Sequence, residues 1–336
     1  MKKLRVAING FGRIGRHALK VAWLKQHLSK IEVVAVNDLS DTRVLAHLLK
    51  YDTAYPDFAP VVSYDEKYLI VGKKKIAAFK EKDPSVLPWK DLKIDVVIES
   101  TGRFTDLAGA TKHVTAGAKR VLISAPGKDE EIQTLVCGVN GGADTSGSVV
   151  NNASCTTNCA APVMQVLEKE FGVQKAMLTT IHSYTADQNL QDGSHKDLRR
   201  ARAAAQNIVP TSTGAAVAVA KVIPTLKGKF DGVAIRVPTI TVSLNDTTVL
   251  LKKNVTKEEV NAAFLSASQT YLKGVLEVSD IPLVSSDYIG NPASATVDLA
   301  LTNVVGGNLV KVVAWYDNEW GYANRLIEMV EIVGAK

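Results

Sequence analysis

The 336-residue chain has three cysteines and six histidines, and the spacing of a few of them points to chemistry. Asn151-Asn152-Ala153-Ser154-Cys155-Thr156-Thr157-Asn158-Cys159 lies between a predicted strand ending near Val150 and a predicted helix running toward Phe171. A thiol at a helix N-terminus feels the positive end of the dipole, which favours the thiolate, its nucleophilic form. Cys155 is therefore the candidate nucleophile. Cys159, one turn deeper, is expected to pack as a small hydrophobe, and Pro162 to kink the helix or delay its regular part. His182 closes the strand-like run Ala176–Ile181. At a sheet edge near Cys155 it would take the thiol proton; in isolation it reads better as a satisfied structural residue, and only the Cys155 motif moves that reading. Cys155, Cys159 and His182 also suggest part of a metal site, but structural zinc takes four ligands and no fourth stands nearby, so no metal is expected.

A second constellation is Gly10-Phe11-Gly12-Arg13-Ile14-Gly15, a G-x-G-x-x-G match that follows a predicted strand and opens a predicted helix. There the backbone N–H groups can approach a pyrophosphate at the positive end of the helix dipole. Asp38 closes the next strand near the spacing of about 20 residues expected of a ribose-hydroxyl partner. The other reading is a plain tight turn, with Asp38 capping a helix that starts near Asp41. A carboxylate at Asp38 would repel a ribose 2′-phosphate, so the expected cofactor is NAD.

These residues need elements to hold them. In the first half, the β-branched runs at 5–9 and 31–37 alternate with helical patterns at 16–23 and 41–50, the sign of βαβ units and a parallel sheet. Asp95–Glu99 and Arg120–Ser124 read as further buried strands of that sheet, with a crossover helix over Asp106–Ala116 between them. From about Val149 the pattern changes to long strand-like segments at Gln174–Tyr184, Phe230–Val237, Thr239–Leu251 and Leu309–Tyr316, an antiparallel or mixed sheet in a second domain. Trp320–Ile332 closes the chain as an amphipathic helix. Two domains are what this length requires.

Composition agrees with a folded globular protein: 46% hydrophobic and 22% charged. Three cysteines are too few for a disulfide framework, which favours a reducing compartment, and no targeting or transmembrane pattern is read. The net charge of +6 is spread over scattered lysines without interleaved aromatics, so nucleic acid is not expected as a partner.

Four motifs in order, Ala-Ile-Asn-Gly-Phe-Gly-Arg-Ile-Gly-Arg at 7–16, Ser154–Cys159, His182-Ser183-Tyr184-Thr185 and Trp315-Tyr316-Asp317-Asn318-Glu319, resemble the glyceraldehyde-3-phosphate dehydrogenase family along essentially the whole chain. The resemblance implies an α/β protein with a Rossmann-type doubly wound parallel sheet over 1–153 plus 319–336, and an α+β catalytic domain with a mixed or antiparallel sheet over 154–318. It implies an NAD-dependent phosphorylating aldehyde dehydrogenase that converts D-glyceraldehyde 3-phosphate and inorganic phosphate to 1,3-bisphosphoglycerate. The path is a hemithioacetal and thioester on Cys155, with His182 as base.

Carried over by position, Gly10, Gly12, Arg13, Ile14, Asp38, Lys82, Ser124 and Asn318 face the cofactor. Lys82 departs from the arginine common there. Ser154, Thr156, Thr185, Asp187, Arg202, Thr213, Gly214 and Arg236 hold or line two anion sites, the residue types that phosphate recognition requires; Arg199 and Arg200 are equally good donors beside Arg202. The loop 184–206 resembles one that lies against a neighbouring subunit's cofactor site in a homotetramer, and the reducing compartment read from the cysteines is taken as the cytoplasm. The loop's Asp192-Gly193-Ser194 is similar to forms that accept NADP, so weaker NADP use is expected beside NAD. The rival readings are erythrose-4-phosphate dehydrogenase, which the ending Asn318–Arg325 resembles, and a non-catalytic nucleotide- or nucleic-acid-binding protein.

Overall fold

A computed structural model describes residues 3–24, 30–142 and 147–335. The chain forms two compact units. The first comprises Met1–Cys137, Gly141–Ala153 and Ala323–Lys336; the second comprises Gly138–Asn140 and Ser154–Tyr322.

The first unit is built on β1 (Leu4–Asn9), α1 (Arg13–Leu24), β2 (Ile31–Asn37), α2 (Thr42–Lys50), β3 (Val62–Tyr64), β4 (Tyr68–Val71), β5 (Lys74–Phe79), β6 (Val96–Glu99), α3 (Leu107–Thr115), β7 (Arg120–Ile123), β8 (Gln133–Thr134) and β9 (Val149–Asn151). Its nine strands form one sheet in the order β3-β4-β5-β2-β1-β6-β7-β9-β8. All pairings are parallel except β3 with β4 and β4 with β5. All four residues of β6 are buried, as a central parallel strand covered on both faces demands. One core cluster gathers Ala7, Ala35, Trp89, Ile94 and Val97, and another Ala110, Val121, Ile123 and Val149. The antiparallel margin β3–β5 was not read from the sequence, its strands being short and weakly patterned.

The second unit holds α4 (Cys155–Phe171), β10 (Val173–Ser183), β11 (Val209–Ser212), α5 (Ala215–Val222), β12 (Phe230–Val237), β13 (Ser243–Leu251), α6 (Lys257–Gln269), β14 (Leu276–Ser279), β15 (Ala295–Asp298), β16 (Asn303–Val305) and β17 (Leu309–Tyr316). Its sheet runs β11-β12-β10-β13-β17-β15-β14, with β16 also on β17. Pairing is mixed: β10 with β12 and β14 with β15 are parallel, the others antiparallel. Along β13 buried and partly exposed residues alternate without a break, the mark of a sheet with one covered face.

Two local expectations change. The strand expected from Thr239 starts at Ser243, because the Thr239 N–H turns back to the Val237 carbonyl and Val242 takes φ +69°. Helix α4 runs unbroken through Pro162; the missing N–H deprives only the Asn158 carbonyl of its helical donor. The last helix, α7 (Trp320–Gly334), begins in the second unit and ends in the first.

Candidate active site

The approach to α4 is strained. Ala153, fully buried, sits at φ +53° with its N–H donated to Asn151 Oδ1 at 3.0 Å. A left-handed alanine is uncommon, and such conformations gather where a site over-determines them. Ser154 then caps α4, its Oγ accepting the Thr157 N–H at 3.1 Å, so Cys155 is the first helical residue. Cys159 is completely buried.

Cys155 Sγ lies 3.5 Å from His182 Nε2. Strand β10 carries His182, and its parallel register on β12 sets His182 opposite Arg236. Arg236 Nη1 is 2.7 Å from His182 Nδ1 and donates to the Ser183 carbonyl at 3.0 Å; that carbonyl also lies 2.7 Å from Nδ1. Nδ1 thus has an acceptor when protonated and a donor when bare, so Nε2 can either receive the thiol proton or donate to a thiolate.

Burial and the neighbouring Arg236 cation push His182 down to about 3, so it stands neutral as a proton acceptor. The helix terminus alone predicts a lowered thiol, but burial pushes Cys155 up, against the opposing pull of Arg236 and the hydrogen bonds at Thr156. Cys155 is partly open to solvent yet set deep among protein atoms, and the penalty on a buried charge outweighs the dipole. The resting pair is therefore thiol and neutral imidazole, and the thiolate forms as the proton moves to Nε2. Arg236 Nε is buried without a hydrogen-bond partner among the described residues, a donor that an anion would satisfy.

The hydroxyls divide. Thr156 turns inward: its Oγ1 meets the Tyr316 hydroxyl at 3.0 Å, and that hydroxyl meets Thr180 Oγ1 at 2.8 Å. The Tyr316 ring stands edge-on to His182 with centroids 6.0 Å apart. Tyr316 and Thr180 were not singled out in the sequence, where they look like ordinary strand residues. Thr213 Oγ1 accepts the Ala215 N–H at 3.2 Å at the start of α5, next to Gly214, which has open space where a side chain would stand. Thr185 begins the turn closed by the Gln188 N–H.

Arg202 and Arg200 stand in different settings. Arg202 Nε donates to Asp192 Oδ2 at 2.7 Å on the surface, both side chains about 60% exposed. Arg200 instead pairs with Asp187 and donates through Nε to Thr211 Oγ1 at 2.9 Å, and Arg200 and Asp187 both act electrostatically on Arg236. The turn of backbone between the two arginines aims only Arg200 at Asp187 and β11, a direction that the run Arg199-Arg200-Ala201-Arg202 does not reveal.

In the first unit a cleft of about 270 Å³ opens at the carboxyl ends of β1, β2 and β6, lined by Gly10, Gly12, Asn37, Asp38 and Lys82 among others. Gly10 has φ +89°, and a Cβ there would come within 2.6 Å of the Thr101 nitrogen, so only glycine fits. Gly12 differs: no atom lies within 4 Å of a Cβ position, so the absent side chain leaves room for an incoming group, the cradle a pyrophosphate requires. Asp38 does not cap α2, whose N-cap is Asp41. Its Oδ2 accepts the Phe11 N–H at 2.8 Å and its Oδ1 the Ser40 N–H at 2.9 Å, which ties the glycine loop to β2. Arg13 and Ile14 open α1, and the Arg13 guanidinium points to Asp52 at 3.2 Å rather than into the cleft. Ser124 donates its N–H to the Glu99 carbonyl at 2.9 Å and does not line the cleft.

Asn318 lies between β17 and α7, with its side-chain oxygen accepting from Ser183 Oγ and Ser243 Oγ, each at 3.0 Å. Next to it the Asp317 carboxylate accepts the N–H groups of Glu319 at 3.0 Å and Trp320 at 2.9 Å and fixes the start of α7.

Comparison with known proteins agrees with this geometry. Residues 4–107 match the model of the glyceraldehyde 3-phosphate dehydrogenase NAD binding domain, and residues 154–318 that of the C-terminal domain. Glyceraldehyde-3-phosphate dehydrogenase 1 of Bacillus cereus is 54% identical over 334 residues, 99% of each chain. The enzyme of Thermotoga maritima is 55% identical over 330 residues, 98% of each chain. The chloroplastic glyceraldehyde-3-phosphate dehydrogenase A of Chlamydomonas reinhardtii is 52% identical over 337 residues, all of this chain and 90% of its own. With both domain models matched in order and identity above half along nearly the whole length, this chain belongs to the glyceraldehyde 3-phosphate dehydrogenase family.

Proposed function

We propose that the protein is the glycolytic, phosphorylating enzyme of its family, oxidising D-glyceraldehyde 3-phosphate to 1,3-bisphosphoglycerate with NAD. The observation that carries this reading is the 3.5 Å approach of Cys155 Sγ to His182 Nε2 beside the half-buried Arg236. His182 takes the thiol proton as sulfur adds to the aldehyde carbon, and the new alkoxide takes a proton to give a hemithioacetal on Cys155. His182 then removes the hydroxyl proton as the carbon is oxidised to a thioester. NAD, when bound, would supply the hydride acceptor; Gly10, Gly12 and Asp38 are the first-unit residues suited to hold it, and the Asn318 amide would be the partner of its nicotinamide. Inorganic phosphate attacks the thioester carbonyl, the C–S bond breaks, and Cys155 leaves as thiolate while the acyl phosphate departs.

Arg236, with its unsatisfied Nε, and Arg200, Thr185, Thr213 and Gly214 suit the two anions this chemistry needs. Lys82 lines the cofactor cleft, with Arg13 and Ile14 at the start of α1 and Ser124 after β7 flanking it, while Ser154 and Thr156 support the thiol through the cap of α4 and the Tyr316 hydroxyl. The catalytic domain runs over 154–318 and the NAD domain over 1–153 with 319–336. NAD is preferred over NADP, and the enzyme works as a homotetramer in the cytoplasm. Among the described residues no helix is long and apolar enough to cross a membrane.

The test is NADH formation from glyceraldehyde 3-phosphate with and without inorganic phosphate. Activity should require phosphate and fall by about four orders of magnitude in Cys155→Ser. Equal turnover without phosphate would replace acyl transfer to phosphate by hydrolysis, and unchanged turnover in Cys155→Ser would remove the thioester altogether.

A further inference from the structure

The amide of Asn318 is held by two buried serines. Ser183, at the end of β10, is fully buried, and Ser243, at the start of β13, is 2% exposed. The Ser183 N–H donates to Ser243 Oγ at 3.2 Å, which occupies a lone pair of that hydroxyl and leaves its proton to be given away. Both serine hydroxyls give their protons to Asn318 Oδ1, each at 3.0 Å. A carbonyl oxygen has two lone pairs, so these two bonds fill it.

Turning the amide over would put its NH₂ against both hydroxyls. Among the described residues neither hydroxyl then has another acceptor, and a buried hydroxyl without one is disfavoured. The serines therefore select one face of the amide, and the other end, Nδ2, makes no hydrogen bond to a described residue and is left to donate. The β10–β13 pair that carries His182 thus also sets this donor, because Ser183 is the next residue in the chain.

We propose that Ser183 and Ser243 are positioning residues that fix the Asn318 amide with its N–H₂ toward the nicotinamide carboxamide, and so set the rotation of that ring. The proposal rests on the reading that Asn318 faces the nicotinamide, and the experiment separates the two. Binding of NAD and of ADP-ribose, which has no nicotinamide ring, is measured for the whole protein, for Asn318→Ala, for Ser243→Ala and for Ser183→Ala/Ser243→Ala, together with the iodoacetamide alkylation rate of Cys155.

Asn318→Ala should weaken NAD about five- to tenfold, the value of one hydrogen bond, and leave ADP-ribose unchanged. The double serine variant should reproduce most of that loss, Ser243→Ala part of it, and alkylation should stay within twofold. If Asn318→Ala weakens NAD selectively while the double serine variant binds it normally, the clamp is wrong and the reading beneath it stands. If Asn318→Ala itself leaves NAD binding unchanged, the reading falls and takes the clamp with it. Equal weakening of NAD and ADP-ribose in the serine variants would mean a general packing role and would also overturn the clamp.

Discussion

Two buried histidines, one in each unit, have opposite surroundings. His113, on α3, receives the Trp89 indole N–H on Nδ1 at 3.0 Å. An indole only donates, so the His113 proton sits on Nε2, which faces Glu99 Oε2 at 3.0 Å. Glu99 also accepts from Asn9 Nδ2 at 2.6 Å and from the Thr101 N–H at 2.8 Å, and Asn9 in turn accepts from Asn37 Nδ2 at 2.7 Å. Every donor there meets an acceptor, and the chain ends under the glycine loop. His182 has an arginine on one nitrogen and a thiol at 3.5 Å on the other. Burial is common to both; what separates a structural histidine from a reactive one is whether its partners complete it or leave it short of a charge.

The sharpest test of that contrast is activity. His182→Asn should lower NADH formation by about 10²–10⁴ while the unfolding midpoint in denaturant barely moves. His113→Leu should do the reverse. It leaves the buried Glu99 carboxylate short of a donor and the Trp89 N–H without an acceptor, and should cost about 3–5 kcal/mol in urea unfolding, with the alkylation rate of Cys155 in the folded protein unchanged.

The arginines extend the same rule. Arg200→Ala should raise KM for the phosphorylated aldehyde about ten- to a hundredfold. Arg202→Ala, which gives up only an exposed pair with Asp192, should change it less than about twofold. A larger effect at Arg202 would reverse the assignment.

The smallest effect is on the pH dependence of stability. His182 titrates near 6.5 when unfolded and about 3 when folded. Between those values the unfolded chain binds a proton that the folded chain does not, so stability is complete above about 6.5 and falls as the pH drops toward 3. The slope from this group approaches about 1.4 kcal/mol per pH unit. His182→Asn should flatten urea-unfolding free energies measured between pH 6.5 and 5; an unchanged slope would show that His182 is not held neutral.

Much of this was legible in the sequence, for reasons that differ by residue. The parallel sheet could be read because β1, β6 and β7 are short apolar runs bounded by turns, and Cys155 because a strand-to-helix junction carries its own electrostatics. Gly10 and Gly12 look alike in sequence, yet one avoids a clash and the other leaves a space, which only the packing around each reveals. The thiol's shift went the other way from the dipole argument because burial depends on the surrounding fold. Arg200 and Arg202 could not be separated without the backbone turn between them, and Tyr316 joins Thr156 to Thr180 across some 160 residues of chain.

The split membership of α7 bears on biosynthesis. In the first unit this helix supplies Ala323, Leu326, Ile327, Met329, Val330 and Val333, all completely buried, and Gly334 lies so close to Leu4 that a Cβ would stand 2.7 Å from its Cδ1. Leu4 and Gly334 lie 330 residues apart (334 − 4), roughly 15–65 s of synthesis at ordinary elongation rates. For that interval the first unit has the residues of β1–β9 but lacks the helix that fills its core.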